Sequence, residues 1–466
     1  MESKASAPQH EKTSKALAVY YSFGEIGDQL SWYMINTYLM VFYTDVLGLA
    51  AGAISIIMLI ARIVQGIASP VWGAIQDRTN SKWGKFRPWL MFLAPFMAIF
   101  NILTFTVFPV TGVAQIFLCC ICYIIVGLLY TAISNAYSAL VNVVSSDSQV
   151  RMNLSAARSV GSSIIQMILS AVAMPMILFF GHSTKANGTG YFWATVVCSV
   201  AMIPFVVICG LKCKETVKES STPSQASSSS VEKISIWTSL KALVKNSQLD
   251  VTVGSTFFGA ASTMLRMMML VYYVIYVVGS YTLVAPIMTT LTIAQLIGSA
   301  LLPWGTKTFG KKGYMIGLNV IQILSLVGLF FFKDIVVVFI LNAIIGFTNS
   351  SANITFGMMS DSIEYGDWKY GVRNIGLSVS MITVAVSIAT AVTGSIGALL
   401  LQATGYVANQ AQSVATQTGI NAIVNLVPAA VTLISTILLL FYKLDQKIVD
   451  QIAIDLKKRS MDNSIH

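Results

Sequence analysis

The chain has 466 residues, of which 55% are hydrophobic and only 10% charged, with a mean hydropathy of +0.73. Soluble chains carry about 25% charged residues, and a soluble protein of this length could not hide so much apolar surface behind so few charges. The composition excludes an ordinary cytosolic enzyme and points to lipid as the solvent of the outward-facing side chains. The formal net charge of +10 invites nucleic acid or a membrane surface as partner, and its distribution along the chain selects the membrane.

In chain order, residues 1–16 form a polar segment without the apolar core or cleavage pattern of a signal peptide, so the first apolar run is read as a retained helix. Runs long enough to cross a bilayer follow at 17–44, 50–76, 88–109, 114–144, 153–181 and 189–211. A second set covers 250–279, 281–306, 313–332, 335–360, 375–404 and 418–442. The expectation is an all-α membrane protein with twelve transmembrane helices, a six-helix half at 17–211 and another at 250–442. Residues 212–249 connect them, with a Ser-rich flexible stretch at 214–233 and a short amphipathic helix expected at 234–249. Residues 443–466 form a polar tail.

Charge sorting orients this arrangement. Of the 29 Lys and Arg, 24 fall on the side of the two termini, and only Lys185 and Lys333 fall on the other. The positive-inside rule places both termini in the cytoplasm, in the cytoplasmic (inner) membrane. The remaining three, Arg62, Arg158 and Arg266, lie inside spans. The six cysteines read as small apolar residues, with no metal-like Cys/His spacing. No Walker loop, Gly-x-Ser-x-Gly or His-Glu-x-x-His is present, so no catalytic site, cofactor or metal is expected.

Ionisable residues within a membrane are functional hypotheses by default. The first span carries Gly24-Glu25-Ile26-Gly27-Asp28-Gln29, whose polar side chains must face other helices or a cavity. Glu25 fits a structural ion pair as well as a functional site. Arg62 and Arg266 form an expected intramembrane charge network, either locking helices together through an acid of the first span or meeting a substrate oxygen. In the fourth span Tyr130, Thr131, Ser134, Asn135, Tyr137 and Ser138 make a polar stripe. In the eleventh, Asn374, Ser378, Ser380, Thr383 and Ser387 do the same. Such stripes suit a hydroxyl-rich solute or, equally, hydrogen bonding between helices. Basic, glycine-containing loops recur after the second span (Asp77-Arg78, then Lys82-Trp83-Gly84-Lys85-Phe86-Arg87-Pro88) and after the eighth (Gly305 to Gly313), as parallel repeats would require. Asp361, Glu364, Asp367, Lys369 and Arg373 lie between spans ten and eleven. Together with Asp77 and Arg78, the residues Glu364, Asp367 and Arg373 are the expected cytoplasmic gate.

The sequence resembles the glycoside–pentoside–hexuronide:cation symporters, the melibiose-permease and glucuronide-carrier group of the major facilitator superfamily. The matching segments run from Phe42-Tyr43-Thr44-Asp45-Val46 and Ala61-Arg62-Ile63, through Trp83-Gly84-Lys85-Phe86-Arg87-Pro88, Arg158 and Tyr272-Tyr273, to Tyr365-Gly366-Asp367-Trp368-Lys369 and Gly405-Tyr406-Val407-Ala408-Asn409-Gln410. The resemblance implies the major facilitator fold and import of a glycoside, pentoside or hexuronide by alternating access. It places sugar contacts at Asp28, Gln29, Ser134, Ser138, Arg158 and Thr383, and a cation site at Gln65 and Ser69 with help from Ser134. At the last three positions family members carry mainly acids, whereas the neutral oxygens found here make poor sodium ligands. The expectation is therefore coupling to H+ rather than Na+ through Glu25 or Asp28, since a carboxylate withdrawn from water can exchange a proton near neutrality. The partners expected are a small sugar and the lipid bilayer, with no nucleic acid. An uncoupled facilitator, a carrier of lysolipid or another small molecule, and a non-transporting sugar sensor are the alternatives.

Overall fold

A computed structural model describes residues 15–145, 148–215, 246–370, 375–408, 410, 412–445, 448–449, 451–452 and 454–456. The expected N-terminal segment (save Lys15 and Ala16), the Ser-rich linker, nearly all of its amphipathic helix, Arg373 and Asn374 lie outside the described residues, as does the Ser380 side chain. The chain divides into two compact units, Met1–Ala226 and Ser227–His466.

Among the described residues of the first unit the elements are α1 (Lys15–Val41), ending in a π turn (Phe42–Val46), α2 (Ala51–Asp77), α3 (Arg87–Thr104), α4 (Val113–Val144), α5 (Ser148–Phe180) and α6 (Gly188–Lys212). Helix α1 packs on α5 and α6, α2 on α4, and α3 on α4 and α6. The second unit contains α7 (Ser247–Tyr272), again ending in a π turn (Tyr273–Val278), and α8 (Val284–Phe331). There follow α9 (Ile335–Asn349), α10 (Ile354–Tyr370), α11 (Ile375–Ala403), α12 (Val414–Asn421) and α13 (Val427–Leu440), the last two joined by a π turn. Here α7 packs on α11 and α13, and α8 on α9.

Among the described residues ten helical segments are long and apolar enough to cross a membrane, against the twelve expected, and the difference has a physical reason at each place. Helix α1 is diluted by Glu25, Asp28, Gln29 and Asn36. Helix α8 is 48 residues long because the eighth and ninth spans are continuous except at Gly310, whose backbone (φ 72, ψ 157) leaves helical geometry. The loop expected between them is a single glycine joint.

The solvent these helices need is written on their surfaces. Helix α2 exposes Ile56, Ile60, Ile63 and Ile67, between 40% and 66% open, at spacings that form one apolar face. Polar side chains turn inward instead: Ser255 meets Ser435 at 2.9 Å, Ser262 meets Thr432 at 2.7 Å, and Asn101 donates to Ser199 at 3.0 Å. This inverted distribution belongs to a multi-pass membrane protein.

The sequence echo between halves has a structural counterpart. The Trp83-to-Pro88 loop is clamped to the end of α6. The Arg87 guanidinium donates to the Gly210 and Leu211 carbonyls, while the Glu215 carboxylate accepts from the backbone N–H groups of Lys85, Phe86 and Arg87 at 2.8, 2.9 and 3.2 Å. A cation thus satisfies the carbonyl end of one helix and an anion the amide end of another. In the second unit Lys312, just past the Gly310 joint, donates to the Leu440 and Tyr442 carbonyls at the end of α13. Each unit therefore ties its third membrane segment to the end of its sixth.

Gly84 has φ 107, and a Cβ there would lie 2.4 Å from the Glu215 carboxyl carbon. Gly310 has φ 72, with nothing within 4 Å of its added Cβ. Gly84→Ala is expected to cost about 2–3 kcal/mol and Gly310→Ala about 1 kcal/mol. Thermal unfolding of the two purified variants should therefore show a larger loss for Gly84→Ala; equal losses would mean that the fit against Glu215 contributes little.

Candidate functional site

Two glycines set the geometry of the polar run on α1. A Cβ on Gly24 would lie 2.3 Å from the Tyr137 ring, and one on Gly27 would lie 2.5 Å from Val206. Without side chains, α1 lies close against α4 and α6. The contact is fastened by a reciprocal pair: the Tyr137 hydroxyl donates to the Tyr21 carbonyl at 2.8 Å and the Tyr21 hydroxyl to the Tyr137 carbonyl at 3.2 Å. Their rings stack 4.7 Å apart.

Above this clamp lies the charge pair of the first unit. Arg158 on α5 donates through Nε to Glu25 Oε2 at 2.7 Å and through Nη1 to Ser138 Oγ at 3.1 Å, and its guanidinium rests 4.9 Å over the Tyr137 ring. Gln29 Nε2 reaches Glu25 Oε1 at 3.3 Å and Ser162 Oγ at 3.1 Å. The Arg158 side chain remains 34% open whereas that of Glu25 is 8% open. The arginine is accessible to a solute while its counter-ion is held inside. One turn on, Asp28 is 4% exposed and its Oδ1 has no hydrogen-bond partner. Tyr130 on α4 stands close enough to Asp28 for electrostatic interaction with its carboxyl, and Ser134 stands close to Tyr130.

Tyr130 also stacks on Trp32, with centroids 3.9 Å apart and planes 10° from parallel. The Arg62 guanidinium covers Trp32 at 5.0 Å and donates to Asn36 Oδ1 at 3.0 Å and Gln65 Oε1 at 3.5 Å. Arg62 thus links α2 to α1 through the Asn36 amide oxygen and the Trp32 ring face, not through an acid of the first span. Nearby, Asn135 Nδ2 donates to the Ser69 carbonyl and hydroxyl at 3.0 and 3.2 Å. The neutral oxygens of Gln65 and Ser69 already face protein donors. No cluster of three or more His, Cys, Asp or Glu side chains that could hold a metal ion occurs among the described residues.

The structure thus brings Glu25, Asp28, Gln29, Ser134, Ser138 and Arg158 together, with Arg62, Gln65 and Ser69 beside them on α2. Thr383 lies exposed on α11 of the second unit, where its carbonyl accepts from Ser387 Oγ at 2.9 Å. Arg266, 3% exposed on α7, donates to Asn342 Oδ1 on α9. Of the expected gate, Asp77 and Arg78 are exposed, and Glu364 and Asp367 are half-buried. The ion pair found in that region is a different one, Lys311 Nζ to both oxygens of Asp361 at 2.7 Å. Tyr21, Trp32, Asn36 and Ser162 complete the first-unit site and had drawn no attention in the sequence. The helical spacing of Trp32 and Asn36 from Gln29 was the available signal for those two.

Comparisons with known proteins identify the family and the fold. The family model described as MFS/sugar transport protein matches residues 20–446. The chain is 32% identical to the isoprimeverose transporter of Lactiplantibacillus pentosus, covering 96% of this chain and 92% of that one. It is 27% identical to the glucuronide carrier protein homolog of Escherichia coli K12, covering 97% of each. Among solved structures, the D-xylose–proton symporter matches with a TM-score of 0.64 at 13% identity, over 92% of this chain and 98% of that one, which shows a shared fold.

Removing one member of the pair separates its structural from its functional role. Glu25→Gln leaves a half-buried guanidinium uncompensated and is expected to cost about 1–2 kcal/mol. The double variant Glu25→Gln/Arg158→Met should recover most of that loss in thermal unfolding while solute binding stays abolished. Recovery of binding in the double variant would mean that the pair serves only to hold the helices.

Proposed function

The chain belongs to the MFS/sugar transport protein family, and from that membership we propose that it imports a glycoside or related small sugar by alternating access, coupled to protons rather than sodium. The observation that carries the reading is the Glu25–Arg158–Ser138 constellation, in which a partly open guanidinium, fixed by a buried carboxylate, stands beside the Tyr137 ring and a hydroxyl. A sugar offers many hydroxyl donors and acceptors and apolar C–H faces, and such a surface meets both. Arg158 and Ser138 would hold the sugar directly. Gln29, which bridges Glu25 to Ser162, would hold the pair in register, with Ser134 as a further sugar contact. Because Arg158 stays accessible, the substrate class includes hexuronides, a reading supported by the likeness to a glucuronide carrier homolog.

Glu25 and Asp28 differ in their suitability as proton carrier. Glu25 is engaged by Arg158 and Gln29. Asp28 is buried with an unpartnered oxygen and is the better carrier: no salt bridge has to break when a proton joins or leaves it. The neutral, already engaged oxygens of Gln65 and Ser69 argue against a sodium site. They also favour the second reading, uncoupled facilitated transport. The distribution of Lys and Arg supports residence in the cytoplasmic membrane with both termini inside, and Asp77, Arg78, Glu364, Asp367 and Arg373 as a cytoplasmic gate. The activity proposed is transport without catalysis or a resident cofactor.

Uptake into membrane vesicles under imposed ion gradients tests this. An inward proton gradient should accelerate uptake of a glycoside several-fold and a sodium gradient should not. Asp28→Asn should abolish the proton response while retaining exchange of labelled for unlabelled sugar. Stimulation by sodium alone would sink the proton reading, and indifference to both gradients would establish the uncoupled one.

A further inference from the structure

The cations within the spans are compensated unequally. Arg158 has Glu25. Arg62 lies over Trp32 with two amide oxygens and is only half-buried. Arg266 is 3% exposed, its hydrogen-bond partner is the neutral amide oxygen of Asn342, and its Nε has no partner at all. Among the described residues no carboxylate lies within ion-pair distance of it. The acids described in its unit lie elsewhere: Asp250 on the first turn of α7, Asp334 capping α9, Asp361 (paired with Lys311), Glu364 and Asp367 on α10, and Asp445 and Asp455 after α13. The buried residues next along the helices to Arg266 and to Asn342, among them Leu265, Met269, Leu270, Val338 and Ile345, carry no charge.

A guanidinium keeps its proton in a protein interior, so this charge is not lost by titration. A trapped water could satisfy Nε–H but would leave the charge uncompensated, and it is the charge whose burial is costly. A second orphan points the same way. Tyr273, about two turns further on and first residue of the π turn that ends α7, is 1% exposed, interacts electrostatically with Arg266, and its hydroxyl likewise lacks a hydrogen-bond partner. Two buried, unsatisfied donors on one helix, one of them cationic, with no anion near them, describe the protein half of an anion site.

We propose that Arg266, Asn342 and Tyr273 form a site for a monovalent anion between α7 and α9, occupied either by a resident halide or by the acidic group of an anionic sugar. Arg266 supplies the charge, Arg266 Nε–H and the Tyr273 hydroxyl are the donors, and Asn342 orients the guanidinium through its oxygen. The halide form is independent of the sugar-transport reading; the sugar-acid form rests on it.

The test uses the purified full-length protein in detergent, without sodium or sugar. Replacing the bulky anion of choline 2-morpholinoethanesulfonate by chloride, at constant ionic strength, should raise Tm by roughly 2–4 °C if the occupant is a halide. In chloride-free buffer, glucuronate should produce that rise and glucose should not if the occupant is a sugar acid. Asn342→Asp places a carboxylate beside Arg266 and should remove whichever response the wild type shows; Arg266→Gln, which removes the charge, should do the same. A wild type indifferent to both chloride and glucuronate would overturn the proposal. So would either folded variant responding as strongly as the wild type. The chloride arm contains no sugar, so its outcome is read separately from any failure of sugar transport.

Discussion

The Arg158–Glu25 pair is the interaction on which the first unit depends, because an ion in a membrane interior must be met by another or withdrawn. Idealised transfer of either charge alone into such a medium costs roughly 20 kcal/mol, and several kcal/mol even after relaxation. The surrounding structure reduces that cost on every side. Glycines at 24 and 27 bring α1 close to α4 and α6. The Tyr21–Tyr137 pair fixes that approach, Tyr137 offers its ring to the guanidinium, and Gln29 satisfies the second oxygen of Glu25. What is left open is one side of Arg158, the part that a polar solute can use.

Repetition and asymmetry divide the molecule by role. At the helix ends the two units solve the same problem with similar means: Arg87 binds the carbonyls ending α6, and Lys312 those ending α13. Both first helices end in π turns. Within the spans the units diverge. The first unit has a compensated pair, a buried acid and a ring-supported arginine, whereas the second has a buried arginine against an asparagine. The shared features hold helices together, while the unshared ones hold the chemistry.

How much of this the sequence discloses depends on the range of the physics involved. Lipid-facing runs are local, so the helices were legible from hydropathy alone, and the polar interruptions Glu25, Asp28 and Arg158 marked the site. The repeated basic loops were visible as composition, but not the reason for their glycines, since the carboxylate filling the space at Gly84 comes from Glu215, well over a hundred residues later. The joint at Gly310 was read as a loop because a single backbone torsion leaves no trace in hydropathy. Pairing between helices was the least legible. Charge alone leaves Arg62 either an acid of the first span or a substrate oxygen, and packing gives it Trp32, Asn36 and Gln65. Near the expected gate, the acid that finds a lysine is Asp361, with Lys311. Which partners meet is decided by helix rotation, and a period of 3.6 residues constrains that without fixing it.

In the proposed coupling, buried Asp28 exchanges the proton that accompanies sugar binding, while Glu25 stays paired with Arg158 and the neutral α2 oxygens bind no sodium. Calorimetric titration of the purified protein with a transported glycoside, in buffers of different ionisation enthalpy, measures the protons exchanged on binding. The account predicts exchange of about one proton per sugar near neutral pH, an affinity unchanged by sodium, and loss of the proton exchange in Asp28→Asn. Binding tightened by sodium with no protons exchanged would contradict it.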